Sequence, residues 1–275
     1  MAKIRFTLNN LVDIASTITA TNEEATLPIT NVQDMSRGKI YRSTGASASI
    51  TITWPATTTV NTVTLGNHNL PAASTIDINF FDGTAGSGSN LGGTASQYVV
   101  SAEEAKETDD AITYADIKNI NWYSEDVNNA LDPITGARSV VIAITAASGV
   151  IDIGRIIVGN AIEATYNISY GHNLSFEEQT KQYRTDSGSL RSDMALPYKK
   201  FEFNMNTISE SDRQVLQRGL ADVGKRRDFT VSVFPCDDTE EKKTDYSGIV
   251  KLVRVPKFQE FQHNWYKAKY IMEEV

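Results

Sequence analysis

A single cysteine, Cys236, stands in 275 residues. One thiol builds neither an intrachain disulfide framework nor a cysteine-based zinc site, so the chain reads as one made and folded in a reducing cytoplasm. Histidine is almost as scarce, with three in all. No two of them have metal-ligand spacing, and the His-Glu-x-x-His motif is absent. No apolar run reaches the roughly 18 residues of a membrane span. The opening MAKIRFTLNN lacks the apolar stretch of a secretory signal. Clustered cations are missing too. The net charge is −8, with the acidic excess in residues 1–180 and a slightly basic remainder. That speaks against a specific nucleic-acid surface. The one tight basic run, GKRRD at 224–228, reads as a solvated helix C-terminus.

What is present is alternation. With 40% hydrophobic residues the chain has enough to build a core. ASITITW sets Ala48, Ile50, Ile52 and Trp54 against Ser49, Thr51 and Thr53. TIDINFF sets Ile76, Ile78 and Phe80 against Thr75, Asp77 and Asn79. A period of two marks half-buried strands. RSVVIAIT (138–145) and IDIGRIIVG (151–159) are apolar on both faces, as suits strands covered on both sides. Turns rich in Gly, Ser, Thr, Asn and Pro separate these runs, which points to a sandwich or jelly roll.

One segment has a helical period. ISESDRQVLQRGLADVG puts Val215, Leu216, Leu220 and Val223 on one face, with Ser209 and Asp212 as a capping box and Gly224 at the C-terminal stop. KKFEFNMN, DFTVSVFP, SGIVKLVRV and NWYKAKYIM around it read as strands. The pattern is then β–α–β–β–β, unlike the helix-poor first part. The expected division is residues 1–160 as a β jelly roll and 161–275 as a β-sandwich with one α-helix, so the fold class is mainly β.

Candidate chemistry is sparse. No strand–Gly-x-Ser-x-Gly–helix context exists for a nucleophile. The glycines of DGTAGSGSNLGG (82–93) miss the dinucleotide spacing and precede a strand, so an inter-strand loop is the better reading. SAEEAKETDDA (101–111) lacks the ligand spacing of a calcium loop. CDDTEEKKTDYSG (236–248) reads as an exposed hairpin tip. No carboxylate pair declares itself as a glycosidase centre. The chain is therefore expected to have no catalytic residues, no cofactor and no metal. His68 and His172 both lie in His-Asn-Leu, but the flanks VTLGNHNLPAAS and ISYGHNLSFEEQ disagree, so this is no repeat. In the first, a strand ends at Gly66, Asn67 and Asn69 tolerate a left-handed turn, and Pro71 stops the strand. This sets His68 at the rim of the sandwich, where a hydrogen-bonded turn histidine and a glycan contact are both open readings. Trp122 and Tyr123 of NINWYSED are possible sugar platforms or buried packing.

KIYRSTG…SITITWPATTTVNTVTLGNHNLPAASTIDINFFDG resembles the discoidin-like, galactose-binding-like jelly rolls of bacteriophage tail proteins. The likeness lies in Tyr41-Arg42-Ser43, the His-Asn-Leu turn and the strand ending in FFDG, with VVIAITAASGVIDIGRIIVG as the closing strand pair. QYRTDSGSLRSDMALPYKKFEFNMNTISESDRQVLQRGLADVGKRRDFTVSVFP resembles the one-helix sandwiches of tail-tube and distal tail proteins. The better-known distal tail proteins carry the ring domain first; here the order is reversed. The resemblance implies a structural protein of a long-tailed phage, at the tail tip or baseplate of the virion and assembled in the host cytoplasm. It implies a homohexameric ring joining the tail tube to hub and fibre proteins, with no membrane partner. The alternative is a carbohydrate-binding module that contacts host-surface glycans through a rim of Asn67, His68, Asn69, Trp122 and Tyr123.

Overall fold

The computed structural model describes residues 3–36, 38–94, 97–102, 104, 119–193, 197–235 and 240–275. Its strands are, in chain order, β1 (Arg5–Thr7), β2 (Thr17–Ala20), β3 (Tyr41–Arg42), β4 (Ser47–Val60), β5 (Thr62–His68), β6 (Thr75–Phe81) and β7 (Asn90–Gly93). There follow β8 (Tyr98–Val99), β9 (Ile120–Tyr123), β10 (Ile134–Thr145), β11 (Asp152–Gly159), β12 (Ile162–Glu163) and β13 (Asn173–Glu177). The last are β14 (Lys181–Arg184), β15 (Leu190–Asp193), β16 (Tyr198–Ser209), β17 (Phe229–Ser232), β18 (Ser247–Leu252), β19 (Gln259–Gln262) and β20 (Trp265–Glu274). Helix α1 (Glu210–Val223) follows β16, and a six-residue helix α2 (Glu240–Asp245) precedes β18.

The protein is mainly β, and it has two cores. A six-stranded antiparallel sheet, β2-β4-β10-β6-β7 with β8 on β6, faces a four-stranded sheet, β3-β11-β5-β9. Ile50, Ile52, Trp54, Ile78, Phe80 and Ile142 of the first meet Tyr41, Val63, Leu65, Ile153 and Ile156 of the second in one cluster. Alternation holds through most of β4 and β6: Ala48, Ile50, Ile52, Trp54, Ile76, Ile78 and Phe80 are buried while Ser49, Thr51, Asp77 and Asn79 stay partly in solvent, but Thr53 is buried as well, its hydroxyl accepting from the Ala85 N–H at 3.0 Å. β10 differs from its reading. Val140, Ile142 and Ile144 are buried, but Ala143 is exposed and Val141 only half-buried. Its outer face is covered over a short stretch, where the turn Thr84–Gly86 sits on Ser139 and Val141. β11 is buried from Ile153 to Gly159, because the second unit lies against its outer side.

That second unit is an eight-stranded antiparallel sheet, β12-β1-β17-β18-β20-β16-β13, with β19 on β20. Strand β1 belongs here by pairing, Phe6 lying opposite Val231 and Ile162, although it comes first in the chain. Leu216, Leu220 and Val223 of α1 pack on Phe6, Phe203, Met205 and Tyr270. Burial pushes the Tyr270 phenol far above its ordinary pKa. Val215, placed on the same face in the sequence reading, is 50% exposed. It lies about 100° around the helix from Leu216, just off the i, i+4, i+7 row that docks. Ser209 caps the helix, its hydroxyl accepting from the Asp212 N–H at 3.2 Å, and Gly224 ends it at φ 56°. The segment 236–248 contains α2 rather than a plain hairpin tip, and Cys236 lies outside the described residues.

Arg213 grips Glu210 through two hydrogen bonds of 2.8 and 2.6 Å. These bonds, with one from Gln214, hold the Glu210 carboxyl down at about 2. A depressed folded pKa gives stability that is complete above the unfolded value and lost as pH falls toward 2. Glu210→Gln is therefore expected to flatten the acid-side fall of melting temperature between about pH 5 and pH 2. Thermal melts across that interval check it; an unchanged slope contradicts it. The effect is small because the pair is open to solvent.

Candidate functional site

Among the described residues β9 is the outer strand of the four-stranded sheet and pairs with β5: Val63 lies opposite Trp122 and Thr62 opposite Tyr123. Successive side chains of a strand point to opposite faces. Ile120 and Trp122 therefore turn into the sandwich, where the indole stacks on Phe80 with centroids 5.9 Å apart. Asn121 and Tyr123 turn toward the second unit. Asn121 accepts from Thr64 Oγ1 at 2.8 Å and donates to Ser247 Oγ at 3.3 Å. The Arg5 guanidinium lies 4.7 Å from the Tyr123 ring centroid.

Both aromatics line two adjoining cavities beside β9. One, of about 440 Å³, runs toward Thr94, Gln97, Tyr98 and Val99 on the neighbouring sheet edge. The other, of about 230 Å³, runs toward Ser232, Lys243 and Ser247 of the second unit. Tyr98, Trp122, Tyr123 and Glu125 border both, so the two form one trough. Its polar groups are held by the fold. The Tyr98 hydroxyl donates to the Glu104 carboxylate, which also accepts from the Ser101 hydroxyl at 3.2 Å. Arg5, 1% exposed, pairs with Glu125, pairs with Glu163 at 3.1 Å and donates to the Asn129 carbonyl at 2.8 Å. A buried arginine on β1 thus anchors the loop below the trough.

The three residues of the Asn-His-Asn turn are placed elsewhere. β5 runs on through His68, past the Gly66 at which the sequence reading ended it. His68 is fully buried, not at a rim, and its Nδ1 accepts from the Leu70 N–H at 3.1 Å. Asn69 is a fastener: Oδ1 accepts from the Asp152 N–H at 2.7 Å and Nδ2 donates to the Val150 carbonyl at 3.0 Å. Asn67 takes φ 52° and packs on Gly154, where an added Cβ would lie 2.7 Å from the Asn67 amide nitrogen. The turn clamps β5 to β11. Asn67 also lines a small cavity of about 40 Å³ between the units, beside Arg155 and Asp228. His172 packs within the second unit, its ring set edge-on to Phe234 and Tyr246 at 5.5 and 5.3 Å.

Of the sequence candidates, then, the structure brings Trp122 and Tyr123 together and takes Asn67, His68 and Asn69 away from them. Tyr98, Asn121 and Arg5 were missed. Arg5 carried a signal, a cation inside the apolar alternation of KIRFTL. Among the described residues no group of three or more His, Cys, Asp or Glu is placed to hold a metal ion. No helix among them is long and apolar enough to cross a membrane.

Fold and site together define a mainly-β protein with a jelly-roll sandwich, a second β sheet carrying one docked helix, and an aromatic trough at the sandwich edge. The sequence matches no family model and no curated protein. Similar solved structures include a chitosan-binding module of a chitosanase/glucanase from Paenibacillus sp. IK-5. It is 16% identical over 55% of this chain and 98% of that one, with a TM-score of 0.38. The family 32 carbohydrate-binding module of C. perfringens NanJ, solved with galactose, is 13% identical over 57% and 99%, with a TM-score of 0.37. A Ruminococcus gnavus GH29 fucosidase is 14% identical over 56% of this chain and 27% of its own, with a TM-score of 0.38.

Proposed function

We propose that the protein is a non-catalytic glycan-binding protein that seats an oligosaccharide in the trough at Trp122 and Tyr123. The observation that carries this reading is the Trp122 indole, fixed by Phe80 and bordering both cavities. A sugar ring lays its C–H face on such an aromatic surface, while its hydroxyls bond to nearby amides, hydroxyls and carboxylates. Asn121, Thr94, Ser124 and Glu125 supply those groups within the same trough. The two cavity volumes lie in or just below the range of small-ligand sites.

The test is a glycan array probed with the intact protein, including galactosides and chitosan oligomers. Discrete hits are expected, and they should weaken about tenfold or more in Trp122→Ala, the loss of one stacked ring. An array without hits, or hits that Trp122→Ala leaves unchanged, contradicts the reading.

A second reading, the ring-forming tail-tip subunit that joins tube, hub and fibre proteins, is favoured by one observation. The β14–β15 hairpin forms a two-stranded sheet of its own, exposed at every strand residue, with Tyr183 49% and Leu190 56% exposed. An isolated hairpin is only marginally stable, and its open edges suit pairing with another copy. Mass photometry distinguishes this reading: six-membered rings support it, and a monomer at high concentration contradicts it.

A further inference from the structure

The outer face of the second sheet carries an unexplained polar cleft. Asn204 and Asn206 project from β16, Lys267 and Lys269 from β20, and Gln259 from β19. The register sets Asn204 opposite Lys269 and Gln259 opposite Lys267, so amides and ammonium groups alternate across three strands. Lys257 and the half-buried ring of Phe258 close one side, and the space enclosed is about 530 Å³.

The charges there are uneven. Toward the far end of the face, Lys269 pairs with Glu202 at 3.0 Å and Lys200 with Glu177 at 2.7 Å. Lys257 and Lys267, by contrast, have no carboxylate partner among the described residues. Nor do the side-chain amides of Asn204, Asn206 and Gln259 have a hydrogen-bond partner there. In a chain of 34 acidic and 26 basic residues, two unpaired lysines in one cleft are a local excess that the fold itself does not use. Lys267 and Lys269 stand two residues apart on one face, about 7 Å, and repel each other.

We infer that this cleft binds an acidic glycan, its carboxylate or sulfate oxyanions held by Lys257 and Lys267 and its hydroxyls by Asn204, Asn206 and Gln259. Three amides beside two unpaired cations match a chain bearing one charge every sugar or two. A nucleic acid has a phosphate at every step and would extend onto a molecule of net charge −8, which repels it. The Phe258 ring offers an apolar surface to a sugar face. This site is separate from the Trp122 trough and does not depend on it.

Calorimetric titration of the full chain with hexagalacturonate, a κ-carrageenan hexasaccharide with one sulfate every two sugars and no carboxylate, a neutral hexasaccharide, inorganic sulfate and a 20-nucleotide DNA tests the inference. Saturable binding of one or both acidic oligosaccharides is expected, and which one binds identifies carboxylate or sulfate as the anion. Affinity should weaken with added salt and fall at least tenfold in Lys257→Glu/Lys267→Glu. Both lysines are exposed, so the variant should melt as the wild type does. Trp122→Ala should bind the acidic oligosaccharide unchanged, which separates failure of this site from failure of the trough. Absence of binding by both acidic oligosaccharides, affinity untouched by the double substitution, or tighter binding of the DNA overturns the inference.

Discussion

Arg155→Ala is expected to destabilise the protein by about 3–5 kcal/mol, the usual cost of stranding one member of a buried ion pair. The guanidinium is 6% exposed and binds both oxygens of Asp228, at 2.8 and 2.9 Å, whose own side chain is 1% exposed. The same group reaches Asp13 at 2.8 Å and the Val32 carbonyl at 2.9 Å. Asp13 and Val32 belong to the jelly roll, while Asp228 leads into β17 of the second sheet. One side chain on β11 therefore fastens the two units. Burial opposes its charge, and the hydrogen bonds to Asp228 and Asp13 outweigh that, raising its pKa above the ordinary value. Removal strands the buried Asp228 carboxylate without its partner and leaves the Val32 carbonyl unpaired. Urea unfolding should show the loss, and a separate transition for each unit would show that the fastening was broken. Arg155→Met/Asp228→Leu should recover much of the stability, because an apolar pair carries no desolvation penalty. A single substitution costing under about 1 kcal/mol would contradict this role.

Trp54→Ala should cost about 3–5 kcal/mol. Trp54 heads the largest fully buried side chains and is 1% exposed, at the centre of the sandwich core. Its Nε1 donates to the Leu11 carbonyl at 3.0 Å, so truncation also orphans an acceptor on the chain that enters the jelly roll from β1. Ser47→Ala, exposed at the start of the same strand, should stay within about 0.5 kcal/mol. Comparable losses from the two variants would contradict the core assignment.

Local order was legible in the sequence, and long-range pairing was not. β4, β6 and α1 follow from periods and caps that act within a few residues, as Trp54, Phe80 and Ser209 show. β10 looked two-sided because VVIAI (140–144) is apolar throughout, yet apolar composition does not force a cover, and Ala143 faces solvent. β1 reads as the start of the first unit; nothing local reveals that Phe6 pairs more than 150 residues away. The site divides the same way. Trp122 and Tyr123 were visible as an aromatic pair in a polar stretch. Asn67-His68-Asn69 looked like an exposed rim because turn residues are usually exposed. His68 is buried all the same, and the half-buried Asn67 and Asn69 are held by Gly154 and Asp152 of β11.

The proposed glycan site has Trp122 as its floor. Calorimetric titration of the best oligosaccharide from the array, into the wild type and into Trp122→Ala of matched melting temperature, tests it most directly. Saturable one-site binding by the wild type, weakened at least tenfold in the variant, is the predicted result. Equal affinity in the two proteins, or no heat from either at millimolar sugar, would contradict it.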